Sequence, residues 1–290
     1  MTDFIGLALP GIKGLQPYQP GKPIEELERE LGLIDAVKLA SNENPLGASE
    51  SVRELLLAAF SQLARYPDGS AYELKNRLAK FLGVSTEMIT VGNGSNDVLE
   101  LLGRVFLQPS NEAIVSQHSF VVYPLVTKAV GAKLTVIPAK NYRQDLRATL
   151  KSIRSETRMV FIANPNNPTG TWVSEAELIE FLENIPEDVL VVLDEAYFEY
   201  VDEVGYPDGI GLVKKFPNLI VTRTFSKAYG LAALRIGYSV SHPDIADLLN
   251  RVRQPFNVNS MSLVAACAAL DDQTHVQKSV DLNCSGLEYF

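Results

Sequence analysis

Short apolar runs rich in β-branched residues recur along the chain and predict a β-sheet. Seven of them have the length of a strand, at residues 89–91, 113–116, 134–137, 159–163, 189–193, 219–224 and 237–240. Several are apolar at every position, as strands are when helices cover both faces of their sheet. Helical patterns lie between them, at residues 97–106, 120–130, 146–153 and 175–184. The alternation predicts an α/β fold with three α/β/α layers and a mainly parallel seven-stranded sheet.

The amino-terminal part of the chain has a different pattern. Residues 10–24 are dense in Pro and Gly and predict an extended arm without regular structure. A short helix is expected after Pro23, with Gly32 at its end, and residues 37–47 predict a short strand that runs into a turn. An amphipathic helix is predicted from Ser49 to about residue 64.

Capping signals and later helices complete the pattern. Ser70 with Glu73, and Ser174 with Glu177, have the spacing of a capping box, so each pair predicts the start of a helix. Further helical segments are predicted at residues 242–253 and 260–270.

Composition restricts the class of protein. With 290 residues, 46% of them hydrophobic, there is room for a large globular domain and a smaller one. The 35 acidic against 26 basic residues give a net charge of -9 without any basic block, so we expect neither nucleic acid nor membrane as a partner. Cys267 and Cys284 form no disulfide framework and suit a reducing compartment. Without a signal-peptide pattern or a run near the about 18 apolar residues of a membrane span, we expect a cytoplasmic location.

Polar residues follow the predicted strands, and in a mainly parallel sheet ligands bind at the carboxyl ends of the strands. After the first strand, Gly92 and Gly94 allow close approach to the backbone, and Ser95 and Asn96 begin a helix. Free amides at a helix start attract phosphate groups. A glycine turn with a serine cap explains this motif equally well on its own.

Two further strand ends carry candidate residues. The motif ANPNNPTG follows the fourth strand and offers the Asn167 amide as a donor, although such a turn can be purely structural. Asp194 follows five apolar residues, and burying a carboxylate there costs free energy unless it has a partner. We therefore interpret Asp194 as a functional acid, with Tyr197 within reach of the same site.

The sixth predicted strand leads into a hydroxyl-rich turn that contains Thr224, Ser226 and Lys227, and Arg235 follows eight residues after the lysine. Partial burial and a neighbouring cation both favour the neutral amine of Lys227, the form that attacks carbonyl groups. Taken alone, Lys227 is better explained as an exposed loop lysine. Together with a buried acid, amide and phenol donors and a phosphate cradle, however, it is what a pyridoxal phosphate site needs.

Three motifs carry a family resemblance. In order, ANPNNPTG, VVLDEAY and TFSKAYGLAALRIG resemble the central motifs of fold-type I aminotransferases, in the class II subgroup. The resemblance implies that Lys227 binds pyridoxal phosphate covalently and moves the proton, and that Asp194 pairs with the ring nitrogen. The other implied contacts are Asn167 and Tyr197 to the phenolic oxygen, Phe120 stacked on the ring, and Ser95, Asn96, Thr224, Ser226 and Arg235 around the phosphate.

The resemblance also implies an assembly and a division into domains. Tyr66 of the RYPD motif matches a tyrosine that reaches the cofactor phosphate of the partner subunit, so a homodimer with shared sites is expected. The implied division is an arm and first part of a small α+β domain at 1–47, a large cofactor-binding domain at 48–242, and the rest of the small domain at 243–290.

Within this family the segments LQPYQPGKPIEELERELG, KLASNENPLG and RYPDGSAYELKNRLAKFLGV resemble those of histidinol-phosphate aminotransferases. The implied reaction exchanges an amino group between L-histidinol phosphate and 2-oxoglutarate, giving imidazole-acetol phosphate and glutamate, in histidine biosynthesis. Tyr18 and Asn44 are expected near the substrate. Family members continue past the position of Phe290 and carry there an arginine that grips the substrate's anionic group, so the chain is expected to be incomplete at its carboxyl end.

Two alternatives remain open on the sequence. One is another pyridoxal phosphate enzyme of the same fold, such as an aromatic aminotransferase or a threonine-phosphate decarboxylase. The other is a catalytically silent fragment that binds the cofactor or a partner subunit without turnover.

Overall fold

A computed structural model describes residues 3–18 and 21–289, in which seven strands form one sheet. The strands are β1 (Ile89–Gly92), β2 (Glu112–Ser116), β3 (Lys133–Ile137), β4 (Thr157–Ala163), β5 (Leu190–Asp194), β6 (Leu219–Thr224) and β7 (Gly237–Val240). Their order in the sheet is β1-β7-β6-β5-β4-β2-β3, and only β7 runs antiparallel to its neighbours. The seven strands predicted for the sheet and its mainly parallel direction are confirmed.

Helices cover the sheet and form most of the remaining structure. They are α1 (Phe4–Leu7), α2 (Pro10–Lys13), α3 (Ile24–Leu31), α4 (Glu50–Ala59), α5 (Tyr72–Leu82), α6 (Ser95–Phe106), α7 (Val122–Ala129), α8 (Leu146–Lys151), α9 (Glu175–Asn184), α10 (Gly209–Val213), α11 (Pro243–Val252), α12 (Ser260–Asp271) and α13 (Gln273–Tyr289). Short 3₁₀ turns lie at Phe60–Gln62, Thr86–Met88, Phe198–Tyr200 and Ala232–Leu234.

The central strands are buried on both faces because successive side chains point to opposite sides of the sheet. In β5, Val191 and Leu193 belong to one hydrophobic core, and Val192 belongs to the other. The first core also contains apolar side chains of α5, α9 and α12, and the second contains those of α6, α7 and α11. The predicted three-layer α/β/α arrangement follows from this alternation and is confirmed.

Two predicted capping boxes have different outcomes. Ser174 and Glu177 form one at the start of α9, since each side chain bonds to the backbone of the other residue. The capping box predicted for Ser70 and Glu73 is wrong. The carboxylate of Asp68 instead accepts the amides of Ser70 and Tyr72 over 2.8 and 2.7 Å. Because the two oxygens of Asp68 bond to these amides at the start of the helix, the Ser70 hydroxyl does not act as the cap.

The amino-terminal predictions are confirmed only in part. Helix α3 ends at Gly32, whose φ of 65° is the left-handed conformation that glycine adopts readily. The extended arm is wrong at Pro10–Lys13, which forms α2 with proline in its first turn; residues 19 and 20 lie outside the described residues. No strand forms at residues 37–40 of the described chain, because no neighbouring strand is present there to pair with.

The sheet brings four strand ends to one edge. Ala163 of β4 pairs with Asp194 of β5, and Asp194 pairs with Thr222 of β6. On the other side, Gly237 of β7 lies beside both Thr224 and Gly92. The segments that follow β1, β4, β5 and β6 therefore meet at this edge, where the sequence places its candidate polar residues.

Candidate active site

A cavity of about 430 Å³ opens at this edge of the sheet. Its lining contains most of the residues that the sequence predicts for the site: Tyr18, Ser95, Asn96, Phe120, Asn167, Asp194, Tyr197, Thr224, Ser226, Lys227 and Arg235. Sequence reasoning missed Ser41, Asn42, Tyr123, Ala163, Pro165 and Ala196, which line it as well. The fold thus gathers residues from eight separate stretches of the chain around one space.

Asp194 is a buried carboxylate at the end of β5. Its Oδ2 accepts the Tyr123 hydroxyl over 2.7 Å and its Oδ1 accepts the Thr222 hydroxyl over 3.1 Å. Burial raises the pKa of the Asp194 carboxyl, and the two hydrogen bonds oppose that rise. Within the described part of the chain, no cationic side chain contributes to this balance. The cavity therefore contains a carboxylate that hydrogen bonds hold in place, and a cation bound in the cavity would pair with it.

Lys227 follows β6 and is half-buried. Its Nζ donates to the backbone oxygens of Ser41 and Asn42 over 3.0 and 3.2 Å. Burial lowers the pKa of the Lys227 ammonium, and the positive charge of Arg235 acts in the same direction, whereas Glu43 opposes both. The net effect lowers the pKa of Lys227, which is the direction that the sequence predicts for a nucleophilic amine.

Tyr197 lies beside the lysine, with the centre of its ring 5.5 Å from Lys227 Nζ. Its hydroxyl oxygen accepts a hydrogen bond from Asn42 Nδ2 over 2.9 Å. Burial raises the pKa of the Tyr197 phenol, and the Asn42 hydrogen bond opposes that rise. Because Asn42 occupies an acceptor position, the phenol proton remains available to a ligand.

A cradle for an anion forms where the start of α6 meets β7. Gly94 has a φ of 79°, and a Cβ there would lie 2.6 Å from Nη2 of Arg235. A Cβ on Gly237 would lie 2.4 Å from the backbone nitrogen of Ser95. The missing side chains let the guanidinium and the first amides of α6 approach one another, and no side chain caps this described helix end. Such a helix start with a cation beside it binds phosphate.

Two hydroxyl residues complete the cradle. The Thr224 side chain accepts the amide of Ser226 over 3.1 Å, which fixes the turn after β6. The Ser226 hydroxyl lies 3.5 Å from Nη1 of Arg235. The guanidinium is held further by its bond to the Ala232 oxygen over 2.9 Å. Thr224, Ser226 and Arg235 therefore lie together, as the sequence predicts.

The three asparagines of ANPNNPTG have different surroundings. The Asn164 side chain bonds to the backbone of Val173, and Asn166 Nδ2 bonds to the His118 oxygen and the Thr169 hydroxyl. Among described residues the Asn167 side chain has no such bond, and it lines the cavity. The loop thus uses two amides for its own structure and presents the third.

Aromatic side chains support one wall. Phe120 meets Tyr123 edge to face, with ring centres 5.7 Å apart, and Tyr123 stacks on Phe161 at 4.9 Å. This stack holds the Tyr123 hydroxyl at Asp194. Sequence reasoning missed Tyr123 because a tyrosine three residues after Phe120 in an apolar helix is expected to be an ordinary core residue. The available signal was its hydroxyl, a polar group at a position expected to be buried.

The residues predicted near the substrate or in the partner's site differ in their surroundings. Tyr18 lines the cavity with 62% of its surface exposed. Asn44 does not line it: its Nδ2 donates to the Ala228 oxygen and the Ser279 hydroxyl over 2.9 and 2.8 Å, and Asn42 faces the cavity in its place. Tyr66 lies outside the cavity of its own chain, 83% exposed and stacked on Phe256.

The donor set fits pyridoxal phosphate. An aromatic nitrogen cation suits the carboxylate of Asp194, a phosphate suits the cradle at Arg235, and an aldehyde suits the amine of Lys227. In the described chain, no group of three or more His, Cys, Asp or Glu side chains is arranged to hold a metal ion. No helix among the described residues is long and apolar enough to span a membrane.

Comparisons with known proteins agree with this chemistry. Residues 34–287 match the family model of class I and II aminotransferases. The chain is 57% identical to histidinol-phosphate aminotransferase 1 of Idiomarina loihiensis, over 99% of this chain and 79% of that protein. It is 54% identical to histidinol-phosphate aminotransferase 2 of Pseudomonas aeruginosa, over 99% of this chain and 78% of that protein.

A solved structure supports the same relationship. The histidinol-phosphate aminotransferase of Sinorhizobium meliloti, determined in complex with pyridoxal 5'-phosphate, superposes with a TM-score of 0.86 at 33% identity. The match covers 93% of this chain and 73% of that one. The chain belongs to the class I and II aminotransferases and, within them, to the histidinol-phosphate aminotransferases.

Proposed function

We propose that this protein transfers the amino group of L-histidinol phosphate to 2-oxoglutarate, giving imidazole-acetol phosphate and L-glutamate, as a step of histidine biosynthesis. The observation that carries the proposal is the cavity in which an amine of lowered pKa, a buried carboxylate and an anion cradle converge. The names of the relatives supply the substrate. The cofactor proposed is pyridoxal 5'-phosphate.

Each part of the cofactor has proposed partners in the cavity. Asp194 would pair with the ring nitrogen, and Asn167 and Tyr197 would donate to the phenolic oxygen. Phe120 would cover the ring, and the phosphate would contact Ser95, Asn96, Thr224, Ser226 and Arg235. When bound, the cofactor supplies an aldehyde and a ring that accepts electrons.

The protein's own chemistry is mainly proton transfer. Lys227 would act at Nζ as the base that takes the proton from the amine-bearing carbon of the substrate, and as the acid that delivers a proton to the carbon of the cofactor's aldehyde group. Its lowered pKa raises the fraction of neutral amine relative to an ordinary lysine. Asp194 remains charged beside a cation, because a bound cation offsets the burial that raises its pKa.

The finer features are part of the same proposal. The enzyme acts in the cytoplasm as a homodimer in which Tyr66 of each subunit reaches the phosphate in the other, and the exposure of Tyr66 supports this role. Tyr18 contributes to the substrate side, and Asn44 acts there through the turn that it anchors. The proposed domains are residues 1–47, 48–242 and 243–290, and the strands of the sheet lie in the middle range.

The test is a coupled assay of the purified chain with pyridoxal phosphate, histidinol phosphate and 2-oxoglutarate, followed by detection of glutamate. Saturable, cofactor-dependent glutamate formation supports the proposal. Cofactor binding without turnover would identify a silent binding protein, and release of carbon dioxide from threonine phosphate would identify a decarboxylase.

A further inference from the structure

The turn at Ser41 and Asn42 lines the cavity and contacts both Lys227 and Tyr197. The backbone oxygens of these two residues accept hydrogen bonds from Lys227 Nζ over 3.0 and 3.2 Å. The side chain of the same Asn42 donates to the Tyr197 hydroxyl oxygen over 2.9 Å. One short turn therefore holds the amine with its backbone and the phenol with an amide.

The backbone of this turn has an unusual conformation that aims the two oxygens. Ser41 and Asn42 have φ values of 73° and 51°, in the left-handed region. A residue other than glycine in that region costs free energy, and consecutive residues of this kind persist only where other contacts hold them. Backbone strain of this type concentrates at functional sites.

Other contacts do hold the turn to the lysine loop. Asn44 Nδ2 donates to the oxygen of Ala228, the residue after Lys227, and to the Ser279 hydroxyl of α13. A Cβ on Gly230 would lie only 2.0 Å from the Gly47 oxygen, so the two loops are in direct backbone contact. Movement of the lysine loop is thus coupled to the turn.

Building on the proposed function, we propose that the Ser41–Asn42 turn is a dock for the Lys227 side chain whenever it is not bonded to the cofactor, and that Asn42 is a positioning residue for Tyr197. Carbonyl oxygens only accept hydrogen bonds, so they stabilise the ammonium that forms when Lys227 takes a proton. Burial and the charge of Arg235 lower the pKa of Lys227, and the hydrogen bonds of the dock act in the opposite direction. The Glu43 carboxylate also raises this pKa, and it pairs with Lys38 at 2.6 Å. The Asn42 amide occupies one acceptor position of Tyr197 and directs its proton to the cavity.

The dock is tested in the protein without cofactor, by labelling its lysines with trace acetic anhydride across pH and quantifying each by mass spectrometry. Asn42→Gly keeps the left-handed backbone and should leave the pH midpoint of Lys227 labelling unchanged. Asn42→Pro forces a φ near -65° and turns the oxygens away, so we expect the midpoint to fall and labelling at pH 7 to rise about threefold to tenfold. The other lysines report on whether the Pro variant is folded.

The positioning role is tested by pyridoxal phosphate binding. Asn42→Gly should weaken binding about threefold to tenfold through loss of one hydrogen bond to Tyr197, and should displace the pH midpoint of the bound cofactor's visible absorbance. Asn141→Gly is the matched control, since Asn141 is an exposed asparagine with a φ of 52° outside the cavity, and it should change neither quantity.

The outcomes separate the two proposals. A wild-type chain that binds no pyridoxal phosphate would contradict the proposed function, while labelling of Lys227 would still report on the dock. Wild-type labelling of Lys227 in a folded Asn42→Pro variant would overturn the dock. Wild-type cofactor affinity and absorbance in Asn42→Gly would overturn the positioning role.

Discussion

The hydroxyl of Tyr123 donates to Oδ2 of Asp194 over 2.7 Å, and both side chains are buried. This bond partly offsets the burial that raises the pKa of the carboxyl. It also fixes the rotation of the carboxylate, since Thr222 holds the other oxygen. Tyr123 thus links α7 to the chemistry at the end of β5.

Tyr123→Phe should lower kcat/KM about tenfold, because it removes one hydrogen bond to a buried charged group. The pKa of Asp194 should rise further when this bond is lost, so the carboxylate would be protonated at higher pH. We therefore expect the acid limb of the kcat/KM profile to move to higher pH. Tyr72→Phe, at an exposed tyrosine of α5, is the control and should leave the profile in place. An unchanged acid limb in Tyr123→Phe would contradict the tuning role.

Lys227→Ala should remove turnover and the visible absorbance that a lysine-linked cofactor gives. The reason is that no other amine lines the cavity among the described residues. Lys140→Ala, at an exposed position outside the cavity, should retain both properties. Retained transamination by Lys227→Ala would refute the assignment of this lysine as the base.

Gly94→Ala should weaken pyridoxal phosphate binding about tenfold or more, because a methyl group 2.6 Å from Nη2 displaces the Arg235 guanidinium from the cradle. Gly83→Ala is a matched control: Gly83 also has a positive φ, 66°, but a Cβ there meets no atom within 4 Å. The control should lose about 1 kcal/mol of stability and keep its affinity for the cofactor. Equal cofactor affinity in the two variants would argue against the cradle.

Glu199 should make stability depend on pH. Burial raises the pKa of this carboxyl to about 7, and its Oε2 has no hydrogen-bond partner among described residues. The folded state then binds a proton more tightly than the unfolded state, so its contribution is complete below the ordinary pKa near 4.5 and is lost as pH rises towards 7. The loss is about 3 kcal/mol at most.

Glu199→Gln should therefore reduce the pH dependence of the free energy of unfolding between about pH 4.5 and about pH 7, the range between the two pKa values, as measured by urea denaturation. Glu203→Gln, at an exposed glutamate of the following loop, should keep the wild-type slope. A wild-type slope in Glu199→Gln would mean that another group carries the dependence.

Patterns that depend on local sequence predicted most of the fold. The strands around Val192 and Ile220 were recognisable because both faces of the sheet are apolar, and the α9 capping box because its two partners are three residues apart. The expected strand at residues 37–40 failed because strand formation depends on a neighbour, which local sequence does not specify. The Ser70 cap failed because Asp68 accepts both the Ser70 amide, which the Glu73 side chain would have bonded, and the Ser70 hydroxyl.

The site was predictable where residues directly follow strands. Asp194 and Lys227 are examples, since the order of a parallel sheet brings strand ends together. Tyr123 and Asn42 were not, because their roles depend on contacts across 71 and 155 positions of the chain. Such contacts exist only once the layers have packed.

The most direct test of the proposed function is a comparison of amino donors. The purified chain, loaded with pyridoxal phosphate, is assayed with 2-oxoglutarate and either histidinol phosphate, phenylalanine or tyrosine. We expect kcat/KM for histidinol phosphate to exceed the aromatic values by about 100-fold or more, since a site built to hydrogen-bond a phosphate group leaves part of its donors unpaired when a smaller, singly charged carboxylate takes that place. Equal or greater activity with the aromatic amino acids, or no transamination of any donor, would contradict the proposed function.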